Sequence, residues 1–200
     1  MSASTRRVVV TGMGLVSPCG ITVAENWANI STAKSGIARI TAFDVSAYDT
    51  QIGGEVKNFD PERYIDRKEA RRMDRSVQLA VAASVEAMAG IEGTFAAERF
   101  GTIIGSGIGG IQTFEQQHTV LMEKGPSRVS PFFIPMMISD MAAGQISIRY
   151  GLRGPNFGTI SACASGGHAI CDSFMYIRNG FADAILTGGT EATISPMALG

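Results

Sequence analysis

One stretch limits the folds open to this chain more than any other: Asn156 to Gly180, NFGTISACASGGHAICDSFMYIRNG. Its opening residues, Asn156 to Ala162, are short and apolar, and Phe157, Thr159 and Ile160 favour extended backbone, which predicts a buried strand. From Cys163 the period changes. Apolar or small residues recur at 163, 167, 170, 174 and 177, Lys and Arg are absent until Arg178, and Gly180 supplies a stop, which predicts a mostly buried helix. A cysteine at such a junction sits where unpaired backbone N–H groups and the positive end of the helix dipole converge. That setting favours thiolate and can hold an oxyanion, the logic of a nucleophile elbow with sulfur for oxygen. Gly166 and Gly167 are poor helix formers, so their place in the first turn predicts close approach by another backbone or a thin substrate arm. Cys171, about two turns deeper on the same helix, has no helix terminus beside it and is expected to be packing.

The rest of the chain alternates strand and helix patterns. Arg6 to Thr11 is predicted as a strand, followed by a turn-rich loop in which Gly12, Gly14 and then Ser17 miss the third glycine of a dinucleotide-binding GxGxxG. Thr22 and Glu25 have capping-box spacing and open a helix through about Ile30 with Trp27 on its buried side. Ser35 to Asn58 is loop with a strand near Gln51 to Val56, and Asp60 with Pro61 starts a short helix. The basic run DRKEARRMDR, Asp66 to Arg75, leads into a long helix whose core face is Val77, Ala80, Val81, Ser84, Val85 and Met88. Lys68, Arg71 and Arg72 are either a solvated face or, sharing one side, a site for a phosphate or an acidic helix.

Phe100 to Gly105 is a buried strand, and the Ser106 to Gly110 loop holds one apolar residue, Ile108. That loop is either a structural turn or a gate beside a pocket at a strand end. His118 on the next helix has no partner spacing and belongs to the surface. Prolines at 126, 131 and 135 precede a helix over Met136 to Tyr150. Phe132, Phe133, Ile134, Met136 and Met137 can line a flexible apolar tunnel, although such clusters are usually core. Gly151 to Pro155 turns the chain into the cysteine strand, and Asp183 to Gly188 is a last buried strand. The alternation implies an α/β layered fold with a mainly parallel sheet.

Composition excludes several classes. With 45% hydrophobic and 18% charged residues in 200, the chain can bury a core, and a net charge of −1 draws it to neither nucleic acid nor anionic lipid. Three cysteines, Cys19, Cys163 and Cys171, with no CxxC spacing and two histidines argue against disulfide frameworks and zinc sites, and for a reducing compartment. The N-terminal MSASTRRVVVTG has too short an apolar run for a signal peptide, and no stretch is long enough to span a membrane. The expected location is the cytoplasm, with no membrane or nucleic-acid partner.

TISACASGGHAI and FADAILTGGTEA, with VVVTGMGLVSPCG, RKEARRMD, GSGIGG, SPFFIPMMI and YGLRGPN upstream in the same order, resemble the β-ketoacyl-acyl carrier protein synthases, the condensing enzymes of fatty acid synthesis. The Ile in GSGIGG is similar to the elongating type II class rather than type I; a polyketide-type ketosynthase or the type I enzyme is the neighbouring alternative. The resemblance implies the thiolase fold, layered α-β-α-β-α and built from two similar halves, with a mainly parallel mixed sheet. Residues 1–200 are then the N-terminal half, which alone could be a non-catalytic dimerisation half. It implies an acyl group carried on Cys163, whose backbone N–H serves as one oxyanion donor, and decarboxylative condensation with malonyl-acyl carrier protein, without cofactor or metal. Two histidines and a lysine of the second half would assist. His168 cannot be the base for Cys163, because five helical residues place it about 140° around and roughly 7.5 Å along. The resemblance also implies docking of an acyl carrier protein bearing acyl or malonyl phosphopantetheine on Lys68, Arg71, Arg72 and Arg128. Ile108 is implied as the chain-length gate, within a homodimer in which Phe133 and Ile134 reach the neighbouring tunnel.

Overall fold

The computed structural model describes residues 6–200, so the first five residues of the N-terminal stretch weighed against a signal peptide lie outside it. The chain runs through α1 (Val23–Ser31), β1 (Ala38–Arg39), β2 (Ile52–Gly53), α2 (Arg67–Ala70), α3 (Arg75–Met88), β3 (Phe100–Gly105), α4 (Ile111–Lys124), α5 (Phe133–Met137), α6 (Met141–Tyr150), β4 (Asn156–Thr159), α7 (Ser165–Arg178), β5 (Ala184–Gly189) and α8 (Pro196–Leu199). Short 3-10 turns cover Pro61–Arg63, Ala97–Arg99 and Pro126–Arg128. The hairpin pair β1 and β2 is antiparallel, while β4, β3 and β5 form a parallel sheet with β3 in the centre.

Register gives that sheet a level rim. Gly105, the last residue of β3, lies opposite Thr159 at the end of β4 and Gly189 at the end of β5, so three loops leave the sheet at one height. In open α/β sheets that carboxyl edge is where ligands bind. β3 is buried at every position, as its apolar run predicts. Its residues alternate between two helical layers. Ile104 joins Val77, Ala80 and Val81 of α3 and Ala142, Ala143 and Ile146 of α6 in the main core, and Thr102 accepts a hydrogen bond from Ser147 at 3.1 Å. On the opposite face Gly105 meets the start of α7.

Helix starts follow the sequence closely. Thr22 accepts the Glu25 amide, Asp60 the Glu62 amide and Asp66 the Lys68 amide. Asp74, 2% exposed, caps α3 through the Ser76 amide and also accepts from the amide and hydroxyl of Thr113 at 3.1 and 2.7 Å, tying α3 to α4. At the far end of α7, Asp183 binds Arg99 and Arg6, whose hydrogen bonds hold its carboxyl well below the usual carboxylate range. Arg99 also donates to the carbonyls of Gly180 and Phe181.

Several expectations need correction. Arg6 to Thr11 joins no strand ladder among the described residues, although β4 and β5 each leave an outer edge open, and Val9 and Val10 stay exposed. Gly14 serves packing, since a Cβ there would lie 1.8 Å from the Ala83 carbonyl oxygen of α3. Trp27 is 71% exposed, and Asn26 takes the inward position of α1 because its amide finds the carbonyls of Gly20 and Thr22 at 2.9 and 2.8 Å. The helix expected over Met136 to Tyr150 is two helices, broken at Ile138–Asp140, where the Met137 carbonyl turns out to accept the Gly110 amide at 2.8 Å. α7 is not mostly buried: only Ser165, Ala169 and Ser173 are, since the sheet covers one side and nothing among the described residues covers Ile170, Phe174 and Met175. Cys171 is exposed and does not pack in the core, and β4 and β5, expected as buried strands, have no buried residue because each is an edge strand of the sheet.

Candidate active site

Cys163 stands at the tip of the connection between β4 and α7. The helix begins at Ser165 rather than at the cysteine itself, and Ala162 before it adopts φ 50. A left-handed alanine costs about 1–3 kcal/mol and persists only where neighbours impose it. Here Ser165 imposes it. Its hydroxyl donates to the Ala162 carbonyl at 2.6 Å and accepts the Ser161 amide at 2.9 Å, while Thr159 donates to the Ser165 carbonyl at 2.9 Å. The thiol above this knot is exposed.

Glycines set how low the knot sits. A Cβ on Gly105 would lie 2.2 Å from the Ser165 carbonyl carbon, and one on Gly166 would lie 3.2 Å from the Gly189 Cα, so the first turn of α7 rests directly on the sheet rim. Gly166 thus fulfils the expected approach of another backbone, whereas Gly167 faces open space. Among the described residues neither the Gly166 nor the Gly167 amide has an acceptor, as the first turn of a helix dictates.

Beside the knot lies the Ser106–Gly110 loop. Gly107 donates its amide to Glu191 Oε2 at 2.6 Å, Ser106 donates its hydroxyl to Glu191 Oε1 at 3.1 Å, and Gly109 donates to Ser106 Oγ at 3.0 Å. Ile108, 49% exposed, is the projecting tip. It borders an open, largely apolar cleft of about 560 Å³ shared with Ile111, Phe114, Met137, Ile138 and Ile160. A second cleft of about 340 Å³ lies across Ile160, where Ser161, His168, Cys171 and Asp172 meet. His168 Nδ1 is 2.6 Å from Ser161 Oγ, which accounts for a histidine that could not serve Cys163. His118 lies on the surface, stacked on Phe114.

The remaining candidates fall around this centre. Met137 lines the larger cleft; Phe133 packs on Phe114 with ring centroids 6.3 Å apart, and Ile134 projects into solvent. Lys68, Arg71, Arg72 and Arg128 are exposed, and none of them joins an ion pair among the described residues, whereas neighbouring Arg63 and Arg67 pair with Asp60 and Glu62. Arg72 lies 4.4 Å over the Phe132 ring. Sequence reasoning missed Glu191, Asp74 and Ser165 as organisers. Asp74 carried a signal, the Asp-x-Ser spacing of a helix cap; Glu191 carried none beyond following a glycine-rich strand end.

Known proteins are similar to this chain over nearly all of its length. Residues 5–200 match the family model described as Beta-ketoacyl synthase, N-terminal domain. The chain is 50% identical over 200 residues to 3-oxoacyl-[acyl-carrier-protein] synthase 2 of Staphylococcus aureus (strain COL), covering 98% of this chain and 48% of that protein. It is 47% identical over 196 residues to the protein of the same name from Synechocystis sp., covering 96% and 47%. Among solved structures, it superposes on AntDE:AntF, a type II polyketide acyl-carrier protein with its ketosynthase bound to the hexaketide, at TM-score 0.81 and 22% identity, covering 96% of this chain and 52% of that one. A beta-ketoacyl synthase from Burkholderia phymatum STM815 gives TM-score 0.74 and 28% identity, covering 87% and 44%. The chain therefore spans about half the length of the curated relatives it matches.

Proposed function

The chain belongs to the β-ketoacyl synthase family, and from that premise we propose that residues 1–200 are the N-terminal half of a thiolase-like enzyme that elongates fatty acyl chains on acyl carrier protein. The observation that carries the proposal is the exposed Cys163, raised on a strand-turn-helix knot beside an apolar cleft that Ile108 borders.

In the first half-reaction the Cys163 thiolate attacks the thioester carbonyl of acyl-carrier protein. The tetrahedral oxyanion collapses, the carrier thiol leaves with a proton, and the acyl group stays on sulfur. Exchange of one thioester for another costs little and keeps the carbonyl reactive toward carbon, which an oxygen ester would not. In the second, malonyl-carrier protein loses carbon dioxide, its enolate carbon attacks the acyl carbonyl, and the Cys163–acyl bond breaks to give 3-oxoacyl-carrier protein and free thiolate. The Cys163 amide, with the acceptor-free amides at the start of α7 nearby, supplies hydrogen-bond donors for the oxyanion. The histidines and lysine that would assist decarboxylation belong to the remaining half of the protein.

Partners follow from surface chemistry. The names of the curated relatives carry the acyl carrier protein, and the unpaired Lys68, Arg71, Arg72 and Arg128 suit an acidic carrier. β4 is an edge strand with its outer ladder open, which a second copy can pair; Ile134, exposed and away from its own cleft, then faces the neighbour together with Phe133. Among the described residues no helix is long and apolar enough to cross a membrane. A working thiolate needs a reducing compartment, and we place the protein in the cytoplasm. The test is mass spectrometry of the full-length protein incubated with acyl-carrier protein: the adduct is expected on Cys163, and an adduct on Cys19 or Cys171 alone, or none, would refute the assignment.

A further inference from the structure

The Ile108 loop is built unevenly. Ser106, Gly109 and Gly110 are buried while Ile108 between them is exposed. The Ser106 amide on the Thr159 carbonyl at 3.2 Å and the Gly110 amide on the Met137 carbonyl at 2.8 Å hold the two ends of the loop, and one carboxylate holds the residues between. Glu191 Oε2 takes the Gly107 amide, and Oε1 takes the Ser106 hydroxyl, whose oxygen in turn holds the Gly109 amide, so both flanks of Ile108 trace back to Glu191. The base of that carboxylate is itself fixed. Thr190 donates its amide to the Gly105 carbonyl at 2.9 Å and its hydroxyl to the Ser76 carbonyl at 2.6 Å. Gly107 is wedged: a Cβ there would lie 2.8 Å from Glu191 Oε2 and 3.4 Å from the Ala162 Cα of the cysteine knot.

We propose that Glu191 is a positioning residue for acyl selection: it clamps the backbone on both sides of Ile108, so that the Ile108 side chain alone moves at the cleft mouth and the range of acyl donors accepted depends on that clamp. The proposal rests on the acyl-transfer reading above. A charge-assisted pair of hydrogen bonds to one loop is enough to hold a single backbone arrangement, and a loop without it would let Ile108 sample several positions and discriminate less.

The test uses the full-length protein and two readings: hydrogen exchange at the Gly107 and Gly109 amides, and the rates at which Cys163 is loaded from a short and a long acyl-carrier protein. E191A is expected to speed exchange at both amides about tenfold, the worth of one charge-assisted hydrogen bond, and to move the short-to-long rate ratio to that of I108A. E191Q, which keeps one acceptor oxygen, falls between. Adding E191A to I108A leaves the ratio where I108A alone puts it, because Glu191 acts only through Ile108. An unchanged ratio in E191A, or an E191A effect that persists in the I108A background, overturns the proposal. Should E191A fail to fold, S106A carries the same readings, with faster exchange at Gly109 expected and unchanged exchange overturning. Wild-type protein that does not load at Cys163 would sink the acyl-transfer reading instead, while the exchange comparison would still decide whether Glu191 holds the loop.

Discussion

α3 and α7 are both fourteen residues long and lie on opposite faces of the same sheet, yet α3 buries eight residues and α7 three. Their sequences are similarly apolar. What differs is that α3 is roofed by α6 and the Ile65 segment, whereas the outer side of α7 presents Ile170, Phe174 and Met175 to solvent. Apolar side chains gathered on one helix face are where a covering body would pack. One side of the sheet is therefore closed over among the described residues, while the other leaves such side chains open.

The sharpest way to break that contrast is at the thiol. Cys163→Ala in the full-length protein is expected to lower condensation by roughly 10³-fold or more with little change in melting temperature, read by product formation and calorimetry. A comparable loss from Cys171→Ala would mean that the reactive site has been misplaced. The next test compares the two helical layers by chemical denaturation. Ile146→Ala, on the α3 side, should cost about 2–5 kcal/mol. Ile170→Ala should cost about 1–2 kcal/mol in the full-length protein if a partner surface covers α7, and a value below ~0.5 kcal/mol would show that this face meets water.

A smaller effect is expected on the carrier side. Reversing charge at Lys68, Arg71 and Arg72 together should raise KM for carrier-protein substrates about tenfold, spare small thioesters, and matter most at low salt. Equal losses on both substrates would remove docking from these residues. The smallest concerns the end of α7. Because hydrogen bonds from Arg99 and Arg6 depress the Asp183 carboxyl below its ordinary value of 3.8, its contribution is fully present above that pH and is lost as pH falls below it. Asp183→Asn should therefore flatten the acid limb of the stability curve and leave it unchanged in shape near neutrality; identical acid limbs would show that the Arg99 and Arg6 pair is spent on solvent.

Much of this was legible from local pattern. The β3 run, the helix starts at Thr22 and Asp60, and the strand-to-helix change around Cys163 are near-neighbour chemistry, and each appeared within two residues of its expected place. Trp27 misled because hydrophobicity was weighed without the carbonyls that Asn26 would find in its own turn. The break at Ile138–Asp140 and the absent ladder at Arg6–Thr11 were illegible for another reason. Both depend on partners distant in sequence, the Gly110 amide for the break and a sheet edge for the ladder. Cys171 failed likewise, since burial of a helix face is decided by what lies opposite it. In the site, Cys163 and Ile108 could be singled out by context, but Glu191 reaches Gly107 across 84 positions, and nothing in the local text announces it.

The glycine contact between Gly166 and Gly189 sets the height of the Cys163 sulfur above the sheet rim. A methyl group on Gly166 would lie 3.2 Å from the Gly189 Cα and one on Gly189 would lie 2.9 Å from the Gly166 Cα, so helix and rim would have to part slightly and carry Cys163 with them. Reaction rates depend on such displacements far more steeply than folding does. A Gly166→Ala protein would thus look native to every probe of stability and still be a poor catalyst, because the first casualty of that methyl is aim.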